Sequence, residues 1–368
     1  MFDKTHAAFP DSTADCLTLL ETVCKGIAPV SPVHLVTARQ RLDSLTKPLE
    51  SLGKLENVAE KFAGIQEGRF PLRPEPAVMF TVAGDHGVVE EGIAAVPQTI
   101  TAQMTHNFLA GGAGINALCR HGGIDLVVVD AGVKADLPES PMLVSRKIAY
   151  GTANFTKGPA MTEAQCLRAL GLGIALARSA AVQGYNALGL GEMGIGNTTS
   201  STALLCALLG FSPEVITGSG AGIPKRGLAH KQEVIAEALA ANRTAIQRGR
   251  VLPTLAALGG LEIATLAGLI LGGAEQRLAV MVDGFISTAA FVAARAFCPI
   301  VGEYCFFSHE SAESGHVRVL AALGQEPLLN LGMRLGEGTG AALGLSLLGA
   351  SAAIYNDMAT FVEARVRV

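Results

Sequence analysis

Ala187-Leu-Gly-Leu-Gly-Glu-Met-Gly-Ile-Gly-Asn-Thr-Thr-Ser200, followed by the helical run 201–209, is the stretch that decides the fold. It passes from a short apolar run, through Gly194 and Gly196, into a helix that Asn197, Thr198 and Thr199 can cap. Working outward, four more apolar runs have the same form, at 78–83, 126–129, 278–282 and 304–307. All are continuous rather than alternating, as strands are when both faces are covered. Helix-length segments lie between them, for example at 101–121, 162–182, 227–248 and 253–272. This rhythm predicts an α/β fold on a mostly parallel, doubly wound, Rossmann-like sheet.

Each run ends in a polar string, usually with glycine: Gly84-Asp85-His86-Gly87, Asp130-Ala131-Gly132, Gly191-Glu192-Met193-Gly194, Asp283-Gly284 and Ser308-His309-Glu310. Singly, such strings are also what helix caps and turns look like. In open parallel sheets, however, ligands sit outside the carboxyl ends of the strands. Together the five strings predict a site there.

The first 75 residues have a different texture. Segment 36–66 reads as two helices, with Leu55, Val58 and Phe62 on one face and Glu56, Glu60 and Lys61 on the other. Pro48 and Gly53 mark the turn between them, and Pro71, Pro74 and Pro76 form a stiff connector. The expected division is a small helical domain, 1–75, and an α/β domain, 76–354.

Bulk properties exclude several classes. A net charge of −4 gives no broad electrostatic reason to expect nucleic acid or an anionic membrane as partner. Mean hydropathy is high at +0.39, yet segment 255–273 carries Glu262 and segment 341–355 is too short for the ~20 apolar residues of a membrane span. No secretory signal is visible, and a soluble protein is expected. Seven scattered cysteines without a Cys-x-x-Cys pair argue against a disulfide framework or structural zinc, and for a reducing compartment.

Three motifs could carry chemistry. In the first, at 191–200, the helix N–H groups and dipole suit an anion, most simply phosphate. Its spacing is neither Gly-x-Gly-x-x-Gly nor a Walker loop, and a capped helix without ligand is the alternative. The second is Gly218-Ser-Gly-Ala-Gly222 with Lys225, Arg226 and Lys231, either a phosphate cradle or an exposed basic helix start. The third, Leu331-Gly-Met-Arg-Leu-Gly-Glu-Gly-Thr-Gly340, sets Glu337 between Gly336 and Gly338 before a small-residue helix at 341–354. That carboxylate could cap the helix or take a proton. Arg334 could pair with it or hold a phosphate. Asp85-His86 and Ser308-His309 lack zincin and hydrolase-elbow patterns, so no metal is expected and Asp85–His86 reads as a hydrogen bond shaping a pocket wall.

Taken in order, these strings resemble the nicotinate-nucleotide–dimethylbenzimidazole phosphoribosyltransferase family. The resemblance runs from Lys47-Pro-x-x-Ser-Leu-Gly53 through Pro97-Gln98, Thr101-Ala-Gln-Met104, Leu258-Gly-Gly-Leu-Glu-Ile-Ala264, Val282-Asp-Gly-Phe-Ile-Ser-Thr288 and Phe306-Phe-Ser-His-Glu-Ser-Ala312 to the Glu337 motif. It implies a parallel α/β domain, a helical domain completed by 355–368, a cytoplasmic homodimer, small-molecule substrates and no cofactor. It also implies Glu337 as general base and Glu192 as a second important carboxylate. The phosphate and ribose site maps to Gly194, Gly196, Asn197, Gly220, Lys231, Gly336 and Gly338. Thr198, Asp85, His86, Asp283, Ser308 and His309 complete the expected substrate contacts, with Val96 and Met104 in the pocket for the accepting base. Two departures stand out: Leu49-Glu50 where a small residue or Gly is expected, and apolar Val96 and Met104 where some members are polar. An NAD-dependent enzyme with a degenerate glycine loop and a nucleotide-holding scaffold protein are the rival readings.

Overall fold

The computed structural model describes residues 2–10, 12–220, 222–246 and 250–366. Its sheet has six strands: β1 (Ala77–Gly84), β2 (Asp125–Gly132), β3 (Leu143–Ser145), β4 (Ala187–Met193), β5 (Ala279–Val282) and β6 (Cys305–Phe307). Their order is β3-β2-β1-β4-β5-β6, and every pairing is parallel. The chain winds outward from β1 to β3, then returns to lay β4 beside β1 and winds the other way. The reversal therefore falls between β1 and β4, where a crevice opens at the strand ends.

The five continuous apolar runs of the sequence correspond to five of these strands. The sixth, β3 at the sheet edge, has two apolar residues, Leu143 and Val144, before Ser145, a shorter run than those of the other five.

Helices cover both faces. On β4, Leu188 lies against Gly273 of helix Leu261–Glu275, whereas its neighbour Gly189 faces Leu345 of helix Thr339–Asp357. Helix Leu261–Glu275 is buried along nearly its whole length beneath helix Glu163–Val182. Gly173 and Gly268 permit that approach: a Cβ on either would strike backbone of the other helix. Each Leu or Ile withdrawn from water there contributes about 1.5–3 kcal/mol.

Glycines also break two expected helices. Segment 101–121 is divided into Ile100–Leu109 and Gly114–Gly122 at Gly111, whose φ is +79°. Segment 253–272 lies in Val251–Leu258 and Leu261–Glu275, parted by Gly259-Gly260. The segment expected at 227–248 is helix Lys225–Ala241, and residues 247–249 lie outside the described residues.

Near the N-terminus, a helix at Thr13–Gly26 starts in a capping box made by Ser12 and Asp15. Helices Pro32–Ser44 and Lys54–Ile65 follow. Glu56 is not on a solvent face as its spacing suggests; it is 1% exposed because Lys47 Nζ meets it at 2.8 Å. The C-terminal segment returns to this layer. Thr46 N–H donates to Ala359 O, Phe361 N–H to Ser44 O, and Arg41 Nε to Tyr355 O. Glu50 has φ +58°, which explains why a glycine is expected there. Among the described residues, no helix is long and apolar enough to cross a membrane.

Candidate active site

At the β1/β4 reversal lies a cleft of about 320 Å³. Its floor comes from β4 and the loop after it. In register with Val82 of β1, Glu192 is carried at the end of β4 with 6% exposure. Gly196, φ +97°, then turns the chain into helix Asn197–Leu209. No side chain caps that helix, contrary to the capping expected of Asn197; its amide donates to Glu192 instead. Thr198 keeps its hydroxyl at the cleft and accepts from Lys231 Nζ at 2.9 Å.

Against β4 packs the turn Gly336-Glu337-Gly338, which brings Gly336 beside the Glu192 carboxyl. Glu337 sits at φ +63°, between glycines at +81° and +96°. A left-handed non-glycine residue costs about 1–2 kcal/mol, and here three fixed partners hold it. Thr81 Oγ1 donates to the Glu337 carbonyl at 2.9 Å, and the Ile115 N–H donates to Glu337 Oε2 at 3.2 Å. The backbone of Gly191 fits beneath, where a Cβ would collide with the Glu337 carbonyl oxygen. Glu337 does not cap the helix that follows; Gly338 occupies that position without a side-chain bond.

Burial sets the electrostatics. It raises the Glu337 carboxyl above its ordinary range, helped by the nearby Asp283 charge and opposed by the Ile115 N–H. Glu192 is pushed up to about 8, first by burial and then by the charges of Asp283 and Glu262, with Asn197 opposing. At neutral pH, Glu192 therefore holds a proton. Burial also raises Asp283, against the pull of His309 and the N–H groups of Ala341, Gly284 and Gly340. Lys231 moves the other way: burial lowers its ammonium to about 8, countered by the charge of Glu313.

Of the residues singled out in the sequence, Glu337, Glu192, Met104, Gly194, Gly196, Asn197, Thr198, Gly220, Asp283, His309 and Gly336 line the cleft. Lys231 lies just behind Thr198, and Gly338 lies under the turn against Met79. Ser308 is fully buried and turned toward the Asp283 carbonyl. Asp85 and His86 do not line the cleft as expected; both are buried, His86 behind Gly194 and Gly196, and they are not a pair. Asp85 accepts the Lys134 N–H at 2.7 Å, while His86 Nε2 meets Glu262 Oε1 at 2.6 Å, both of those side chains fully buried. Val96 is half-buried outside the lining, where Ile93 and Ala94 stand instead. Arg334 lies at the cleft and reaches Gly220 O at 3.4 Å; no described carboxylate pairs with it. Arg226 is exposed, and the Lys225 side chain and Ala221 lie outside the described residues.

Sequence reasoning missed Ile93, Ala94, Phe285, Ser311 and Glu313. Three of these had a signal: Phe285 and Ser311 lie inside strings quoted above, and Glu313 follows Ser308-His309-Glu310 by three residues. Among the described residues, no group of three or more His, Cys, Asp or Glu could hold a metal ion.

A Rossmann-ordered sheet with a glycine-flanked helix start facing a buried glutamate fits an enzyme of phosphoryl-sugar transfer, and the phosphoribosyltransferase family model matches residues 27–366. The chain belongs more narrowly to the nicotinate-nucleotide–dimethylbenzimidazole phosphoribosyltransferases. It is 55% identical over 348 residues to the protein of that name from Nitratidesulfovibrio vulgaris strain DP4, covering 94% of this chain and 98% of that relative. With the Oleidesulfovibrio alaskensis protein of the same name it shares 54% identity over 94% of this chain and 97% of that relative. CobT from Thermus thermophilus superposes with a TM-score of 0.87 at 44% identity, covering 91% of this chain and 99% of that one.

Proposed function

We propose that this protein transfers the 5-phosphoribosyl group of nicotinate mononucleotide to 5,6-dimethylbenzimidazole or a related base. The products are nicotinate and α-ribazole 5′-phosphate, the nucleotide of the cobalamin lower ligand. One observation carries the reading: Glu337, 4% exposed, lines the same cleft as the helix start at Asn197.

The chemistry requires one base and no acid. Nicotinate leaves from a pyridinium nitrogen, so the C1′–N electron pair neutralises that nitrogen as the bond breaks. The attacking benzimidazole uses one ring nitrogen, and the other must lose its proton. Glu337 is the acceptor for that proton, at ~2.6–3.2 Å in the reactive complex, contributing on the order of 10²–10⁴ in rate. A raised pKa makes it a stronger base while it stays ionised. Glu192, by holding its proton, keeps a second negative charge away from Glu337, so two nearby carboxyls divide the roles. Attack from the face opposite nicotinate turns the β link into α. The phosphate site is formed by the start of helix Asn197–Leu209, Thr198 and Lys231.

The division into a helical unit, 1–75 with 355–368, and an α/β unit, 76–354, belongs to the same reading. It is supported by the backbone bonds of 44–46 to 359–361. So does a cytoplasmic homodimer. Seven free thiols suit a reducing compartment. Val33 and Val36, exposed one turn apart on helix Pro32–Ser44, offer apolar surface for a second copy.

Incubation with nicotinate mononucleotide and a panel of benzimidazoles, purines and phenols, followed by chromatography of nicotinate, tests the reading. Base-dependent nicotinate release is expected. Nucleotide binding without release would instead favour a scaffold protein, and NADH turnover at 340 nm an NAD enzyme.

A further inference from the structure

Among the cleft carboxyls, Glu313 is the one the sequence did not single out and the mechanism does not use. It lies on the loop between β6 and helix His316–Leu323, is 6% exposed and lines the cleft. Its Oε1 accepts the Gly220 N–H at 2.9 Å, so that N–H is not free for a phosphate. A Cβ on Gly218 would collide with the same oxygen. Its own N–H donates to Ser311 Oγ, and the adjacent Ser314 hydroxyl donates to the Thr217 carbonyl. The loop is thereby latched to the segment 217–220 beside Lys231. No described residue donates to Oε2, and no described cation forms an ion pair with it.

Oε2 is not among the buried side-chain oxygens left without a partner, so it is open to the cleft, where a ligand that displaces water must supply a hydrogen-bond donor in its place. The substrates proposed above offer few. Phosphate and the nicotinate carboxylate are acceptors at neutral pH. Dimethylbenzimidazole has a single N–H, which goes to Glu337. The remaining donors are the 2′- and 3′-hydroxyls of the ribose. Glu313 is near enough to Lys231 for its charge to act on the ammonium, and Lys231 flanks the phosphate site through Thr198. A sugar tethered by its 5-phosphate at that site would hold its ring next to Glu313, with C1′ toward Glu337.

We infer that Glu313 is a substrate-binding residue whose free oxygen accepts a ribose hydroxyl, making the enzyme selective for ribosyl over deoxyribosyl 5-phosphates. This rests on the proposed function for the identity of the nucleotide. Oε1 fixes the carboxylate through Gly220, and Oε2 reads the sugar.

The test compares nicotinate mononucleotide with its 2′-deoxy and 3′-deoxy counterparts, for wild type, Glu313→Gln and Glu313→Ala. Affinity is measured by titration calorimetry and turnover by nicotinate release. A hydrogen bond to a charged group is expected to give wild type about 10–100-fold selectivity against one of the deoxy analogues. In Glu313→Ala that selectivity falls to within about threefold, because the ribo compound weakens while the matching deoxy analogue does not. If Glu313→Ala fails to fold, Glu313→Gln decides, with a smaller loss of selectivity in the same direction. Equal weakening of all three nucleotides, or a wild type indifferent to both hydroxyls, would overturn the assignment. Failure of the proposed function reads differently: hydroxyl-selective binding would persist while no nicotinate was released.

Discussion

The Thr81 hydroxyl, on the central strand β1, donates to the carbonyl oxygen of Glu337, 256 residues later in the chain. Both residues are buried. The bond fixes the backbone of the proposed base in a left-handed turn that glutamate alone does not favour. The sheet core thus sets the aim of a side chain on a loop.

Replacing Thr81 with Val keeps the shape and removes the donor, leaving a buried carbonyl unsatisfied at about 1–3 kcal/mol. We expect kcat to fall about tenfold or more, with a smaller change in KM for the nucleotide. Thr81→Ser should recover most of the loss. Steady-state kinetics on the three proteins checks this, and a Val variant with wild-type kcat would show that the turn holds itself.

Met104 lines the cleft and Val96 does not. Met104→Gln should therefore reorder the preference among dimethylbenzimidazole, adenine and phenol, whereas Val96→Thr should leave it alone. Competition assays with paired bases give the ranking directly.

The raised pKa of Glu192 makes a statement about stability. Its folded value of about 8 lies above the ordinary 4.5, so the folded state binds the proton more tightly. The stabilisation is complete below about pH 4.5 and is lost as pH rises through about 8. Glu192→Gln cannot ionise. Its melting temperature should decline less than that of wild type across this window, and parallel curves would contradict the shift.

Lys231 has the opposite sign. A folded pKa lowered to about 8 means that the free enzyme is partly deprotonated near that pH. A phosphate beside the ammonium restores the proton. Nucleotide binding near pH 8 should thus take up protons, seen by calorimetry in buffers of different ionisation enthalpy. Lys231→Met should abolish the uptake.

Much of this was legible in the chain. Continuous apolar runs ending in glycine strings disclosed a parallel sheet and the edge on which a site lies, because strand burial and ligand position follow from the same winding. Glycine flanks around Glu337 marked a turn that only glycines at φ +81° and +96° could complete. What stayed hidden depends on contacts distant in sequence. His86 looks like the partner of Asp85, yet helix Leu261–Glu275 delivers Glu262 to it from 176 residues away. Asn197 resembles a cap but is drawn to Glu192. Ile93 and Ala94 sit in a loop with no period to read, and β3 offers only Leu143 and Val144 before Ser145, too short an apolar run to stand out.

The most direct test of the account is single-turnover release of nicotinate by Glu337→Gln. The variant keeps the turn and the phosphate site, so its affinity for nicotinate mononucleotide should stay near that of wild type. Removing the base should slow release by on the order of 10²–10⁴. Release at the wild-type rate, with binding intact, would show that another group takes the proton.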